Sequence, residues 1–282
     1  MDLARYQRRR RINQVGLTLS MLAMVLGLSV LLWILALLFY KGLSALSWDF
    51  FFASTPAPGS DGGGLANAIV GSVMLVGSCT LISTPIGVLA GVYLAEYGDR
   101  SPIAGVTRFV SDIMLSAPSI VIGLFVYAIV VAQVKHFSGW AGTLALSLIA
   151  IPVVVRTTEN ILRLVPGSLR EAAFALGAPR WKVAIMVTLR AAKSGIMTGV
   201  LLALARVSGE TAPLLFTALS NQFFSLDMNR PLANLPVVIF QFAMSPYENW
   251  IKLAWGGALL ITMVVLLINI ITRLFFREKV SA

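Results

Sequence analysis

The chain has 282 residues, 58% of them hydrophobic and 12% charged, with a mean hydropathy of +0.86. Soluble domains carry about 25% charged residues, so this composition places most of the chain in lipid and excludes a soluble globular domain. The net charge of +10 does not mark a nucleic-acid binder: the bases sit at the ends of apolar runs, and no basic face is interleaved with aromatics.

Residues 1–14 form a basic segment with Arg5 and Arg8 to Arg11, and an apolar run follows over 15–39. A signal peptide has this order but an apolar region of only about 7–15 residues. No small-residue cleavage site follows here, so the run predicts a retained first span. Residues 40–67 read as a loop. Trp48 and Phe50 to Phe52 suit a membrane interface, and Pro56, Pro58, Gly59 and Gly62 to Gly64 signal turns.

A core of five further spans is expected over 68–276. The second span covers Ala68 to Leu94, with Pro85 inside it, and a short charged loop follows from Glu96 to Arg108. The third covers Val110 to Val134, where Ser116-Ala117-Pro118-Ser119 and Gly123 suit close helix packing. Arg108 and Asp112, four residues apart at its start, predict a local pair. The uncharged run Ala141 to Val155 reaches only about 22 Å, against a hydrocarbon core of about 30 Å. The fourth span must therefore continue through Arg156 and Glu159 toward Leu164.

Residues 165–194 form a polar, basic insert. Its centre, Glu171 to Arg190, holds Arg180 and Lys182 and is interrupted by Gly177 and Pro179. Two readings stand: a handle that a partner outside the membrane grips, or a surface loop with helical character. A fifth span is expected over Gly195 to Leu219. The loop 220–250 contains an apolar stretch, Val237 to Met244, too short to cross, which suits a re-entrant or surface helix. A sixth span follows over Leu253 to Phe276, and then a short tail, 277–282, with Arg277 and Lys279.

Six spans put both termini on one side. That side collects the N-terminal arginines and Arg100, Arg108, Arg163, Arg170, Arg180, Lys182, Arg190, Lys193, Arg273, Arg277 and Lys279; the other has Lys41, Lys135, Arg230 and Lys252. The imbalance predicts cytoplasmic termini, a cytoplasmic insert and an external 40–67 loop.

The residues that carry chemistry lie inside the spans. Arg206, about 16 Å along the fifth span from Gly195, falls near the bilayer midplane. A charge there costs at least about 2.5–3.5 kcal/mol by insertion scales and marks a functional candidate. Glu210 shares its face on a continuous helix. The two either neutralise each other or present a cation to a solute with the acid as counter-charge. A guanidinium matches an oxyanion with two parallel hydrogen bonds, so the solute favoured is an anion. Arg156 is a second such candidate. Cys79 and His136, the only residues of their kinds, exclude an internal disulfide and a multi-histidine metal site. No phosphate-cradling glycine loop, nucleophile elbow or zinc-protease motif is present, so neither ATP binding by such a loop nor an enzyme is expected, and no cofactor.

Glu171-Ala172-Ala173, followed by Gly177 and then Val187-Thr188-Leu189, resembles the loop motif of the permease subunits of binding-protein-dependent ABC importers. Val187 stands where that motif has isoleucine, and Arg190 where it has proline. The segments 151–160, 194–223 and 233–246 are similar to the branch of this family that serves phosphate importers. The resemblance implies an all-α, six-helix permease of the type I, MetI-like architecture. It implies a second permease subunit, a cytoplasmic ATPase dimer, a periplasmic phosphate-binding protein and an inner-membrane location. It further implies that Glu171, Ala172, Ala173 and Gly177 couple to the ATPase. Arg156, Glu159, Arg206 and Glu210 would then be the charged residues of the pathway. Three rivals remain: a permease for another oxyanion, a proton-coupled anion transporter with Glu210 as relay, and a membrane scaffold for signalling.

Overall fold

The structure is a computed structural model that describes residues 3–275. The expected tail 277–282, with Arg277 and Lys279, lies outside the described residues. Helices are the only regular elements among the described residues: α1 Leu3–Leu43, α2 Trp48–Phe52, α3 Ala66–Glu96, α4 Pro102–Ser116, α5 Ser119–Val134, α6 Gly139–Leu164, α7 Gly167–Ala175, α8 Arg180–Ala191, α9 Lys193–Val207, α10 Ala212–Leu215, α11 Leu235–Ala243 and α12 Glu248–Phe275. Four of them, α1, α3, α6 and α12, are long and apolar enough to cross a membrane. The pairs α4–α5 and α8–α9 pass the same test together but are bent by 107° and 72°; with each pair taken as one span, the described residues hold six.

α6 is the mast of the bundle. Ser138 starts it, its hydroxyl accepting from the Ala141 amide at 3.2 Å. The amides of Ser138, Gly139 and Trp140 donate to carbonyls of Thr217, Arg230 and Met228, which seats its first turn on the distant 217–230 segment. Small residues bring three neighbours close. On α3, a side chain at Gly91 would run into Thr158; on α9, one at Gly199 would run into Thr157. On α4, Ala104 packs with Leu94 and Val155. Without a hydrophobic drive between helices in lipid, this dispersion contact is what holds the spans together. α1 stands apart, with little of its length buried, and meets the bundle where Gly42 abuts Leu259 of α12.

Two spans differ from the helices expected. The third is broken at Ala117–Pro118: Pro118 offers no amide hydrogen and forces Ala117 into extended backbone (φ −69, ψ 135), so α4 ends on the Ala117-to-Ile113 bond. The fifth begins earlier, with α8 inside the basic insert, and its helix stops at Val207. Gly209 leaves the helix and Pro213 opens the short α10, a position where a missing amide costs nothing. The 220–250 segment forms α11 and buries one face of it, while Phe240, Gln241 and Ala243 stay exposed. Asn234 caps it through Val237 at 3.1 Å, while the Leu235 amide donates to Ser72 of α3 at 2.7 Å. Leu235, Val238 and Phe242 pack with Phe50, Leu65 and Leu253.

Candidate functional site

The charged residues predicted in the fourth span do continue the helix to Leu164, and they meet α4 in a single cluster. Glu159 is its centre. Its side chain is 2% exposed, accepts from Arg108 at 2.8 Å and Arg156 at 3.4 Å, and forms an ion pair with Arg163 at 2.9 Å. Arg108 also donates to the Leu94 carbonyl at 3.0 Å, tying in the end of α3. Arg156 turns its other edge to Asp112: Nε donates to Oδ1 at 2.9 Å and Nη2 donates to Oδ2. Arg108 and Asp112 therefore do not pair with each other, as their spacing suggests. Each crosses to α6, because α4 lies against α6 and offers both side chains a buried or partly buried counter-charge there. A carboxylate as buried as Glu159 is tolerable only when paired and hydrogen-bonded, and here several arginines converge on it.

The expected pair Arg206–Glu210 is not formed. α9 ends between them, so they do not share a helical face. Arg206 lies beside the buried stripe of α9, which runs through Ile196, Gly199, Val200, Ala203 and Val207. It is exposed, and its guanidinium makes no hydrogen bond or ion pair with the described residues. Glu210 is half-buried in the turn that follows, with its amide on the Val207 carbonyl. Arg206 thus stands about 20 Å along α9 from Lys193 with no counter-charge among the described residues.

The 165–194 insert is a helical hairpin of α7 and α8, of which α8 leads into the bent fifth span, buries Val183, Ala184 and Thr188, and packs Leu189 with Leu162, Val165 and Ile196. α7 buries none of its residues, and Glu171, Ala172, Leu169 and Phe174 are exposed; Ala173 is half-buried. Gly177 ends the helix with φ +78, the left-handed region that suits glycine. The Ala178 amide then reaches the Ala173 carbonyl at 3.2 Å and the Gly177 amide reaches Phe174 at 2.9 Å. That is a Schellman closure, and it explains in backbone terms why a glycine follows the E-A-A triplet at this spacing. Leu176 and Trp181 near the tip are 88% and 56% exposed, which leaves an apolar patch on the hairpin.

Arg170, which no sequence pattern singles out, ties α7 to the bundle. Arg170 donates to Glu96 at 3.0 Å and to the carbonyls of Leu162 and Val165 at 2.8 and 2.7 Å. It thereby closes the C-terminal end of α6 and joins it to the end of α3 and the start of α7. Beside it a cleft of about 470 Å³ opens between Glu96, Asp99, Arg163 and Arg180. Among the described residues, no group of three or more His, Cys, Asp or Glu side chains could hold a metal.

Spanning helices, a buried charge cluster and a projecting hairpin define a multi-pass membrane permease of the ABC class. The chain belongs to the family described as the binding-protein-dependent transport system inner membrane component, whose model matches residues 83–277. It is 62% identical to the phosphate transport system permease protein PstA of Haemophilus influenzae, over 98% of this chain and 97% of that one. The proteins of the same name from Pasteurella multocida and Yersinia pestis are 60% and 59% identical, covering 99% and 96% of this chain and 99% and 92% of theirs. Among solved structures, the MetNI methionine ABC transporter in inward-facing conformations is similar in fold. It has a TM-score of 0.60 and 20% identity, over 75% of this chain and 92% of that one.

Proposed function

We propose that this chain is a membrane-spanning permease subunit of an ATP-driven importer of inorganic phosphate, forming half of the pathway. The observation that carries the reading is identity of 59–62% over nearly the whole chain to proteins named phosphate transport system permease. Its partners on this reading are a second permease subunit, a pair of cytoplasmic ATPase subunits and a periplasmic phosphate-binding protein. The basic imbalance puts both termini and the α7–α8 hairpin in the cytoplasm and the 40–67 loop outside.

On this reading the hairpin is the handle. ATP-driven closure of the ATPase pulls on α7, and Arg170 passes the movement to the ends of α3 and α6. Arg206, charged and unpaired near the midplane, meets the anion in passage, with Glu210 shaping the field and Arg156 forming a second cationic station nearer the cytoplasm. Glu159 acts through Arg156, whose fork it steadies from one side. High-affinity selection belongs to the binding protein, because a site along a path must also release its solute. The test is labelled phosphate uptake by the assembled importer with unlabelled sulfate in excess. Uptake that sulfate leaves intact supports phosphate; uptake that sulfate suppresses favours a permease for another oxyanion.

A further inference from the structure

Asp112 is a residue to which neither the loop motif nor the midplane charges assign a task. Its two carboxylate oxygens accept from Nε and Nη2 of Arg156, which is the two-pronged arrangement an oxyanion takes on a guanidinium. The pair is unlike the cluster beside it. Glu159 is 2% exposed, whereas Arg156 and Asp112 are 26% and 54% exposed. Arg108 and Arg163 hold Glu159 at 2.8 and 2.9 Å, so the buried carboxylate stays paired if Arg156 loosens. Asp112 can therefore leave Arg156, and an anion can take its place, without unpacking the bundle.

The geometry points to Asp112 as a resident counter-anion that occupies the oxyanion-binding edge of Arg156 between transport events and competes there with phosphate. The inference rests on the proposed phosphate reading and extends it to how the path lets go. An internal carboxylate lowers the apparent affinity of Arg156 for an anion by the fraction of time the edge is left open. Arg156 lies eight residues, about 12 Å, from the end of α6 at Leu164. The competition therefore acts on release toward the cytoplasm and on rebinding of phosphate from that side. Asp112 is a positioning residue, acting only through Arg156.

The test uses the complete importer in proteoliposomes, with binding protein and labelled phosphate outside, and ATP and graded unlabelled phosphate in the lumen. Initial uptake is measured for the parent, Asp112→Asn, Asp112→Glu, Arg156→Lys and the Asp112→Asn/Arg156→Lys double variant. Asp112→Asn is expected to be inhibited at about tenfold lower luminal phosphate than the parent, since its neutral amide no longer competes as an anion. Asp112→Glu restores the parent curve, and Arg156→Lys in the Asp112→Asn background removes the added sensitivity, because an ammonium lacks the planar fork. Arg156→Lys alone raises the inhibitory concentration above the parent's, which tests the idea even if Asp112→Asn fails to assemble. An unshifted curve for Asp112→Asn, with uptake merely lower at every luminal concentration, makes the pair a brace between α4 and α6 and overturns the proposal. So does added sensitivity that survives Arg156→Lys. A parent importer that takes up no phosphate sinks the functional reading itself, whereas a working parent with unshifted variants sinks only this inference.

Discussion

Arg206 and Glu159 are the two extremes of how this chain carries charge in lipid. Arg206 makes no ion pair with the described residues and is exposed, while Glu159 is 2% exposed, accepts from Arg108 and Arg156 and pairs with Arg163. Opposite consequences follow from removing each. Arg206→Gln is expected to leave the protein in the membrane and abolish uptake, measured as labelled phosphate accumulation against membrane protein detected in the same vesicles. Because α9 ends between Arg206 and Glu210 and the two do not pair, the double variant Arg206→Leu/Glu210→Leu should fail as well; normal transport by it would mean that neither charge serves the pathway. Glu159→Gln removes the acid from a buried cluster of arginines. Breaking a buried pair in this way costs about 3–5 kcal/mol, so the variant should lose stability in a detergent unfolding assay before it loses any specific step.

At the scale of elements, the proposed function makes the α7–α8 hairpin and its root the place where coupling is tested. Glu171→Lys reverses charge on the exposed face and leaves the bundle untouched, so ATP hydrolysis should continue while uptake fails; coupled uptake at the parental ratio would refute the handle. Glu96→Gln weakens the contact that anchors Arg170 and should uncouple in the same direction. Gly177→Ala forces a Cβ into the left-handed region at a cost of about 1–2 kcal/mol and loosens the end of α7, readable as faster proteolysis at the tip. Much of this was legible in the sequence, for identifiable reasons. Length arithmetic alone carried α6 through Arg156 and Glu159. Pro118, Gly209 and Pro213 were visible as breakers, but a breaker inside an apolar run does not say whether the helix kinks or ends. Glu96 and Arg170 lie 74 residues apart, and no local period reports a contact of that kind. The partners of Arg108 and Asp112 are hidden for the same reason: four-residue spacing predicts neighbours on one helix, and their partners Glu159 and Arg156 stand on another. The burial of α11 depended on Ser72 of α3 satisfying its first turn, which its own apolar stretch cannot reveal.

At the scale of the whole molecule, α6 carries the load between the two functional regions. Its start is seated on the 217–230 segment, its end is closed by Arg170 at the root of the hairpin, and the Glu159 cluster lies between. On the proposed reading, a pull on α7 reaches the helix that also bears Arg156, and α9, which packs on it through Gly199 and bears Arg206. A proton-coupled carrier would have no use for that mechanical line, and its driving force would be the gradient acting on Glu210. The deciding measurement is labelled phosphate uptake in vesicles containing the importer's partner subunits and binding protein, with ATP supplied or withheld and the proton gradient collapsed. Uptake that requires ATP and ignores the gradient is the predicted result. Uptake that follows the gradient without ATP would contradict the account and make Glu210, not the hairpin, the centre of the mechanism.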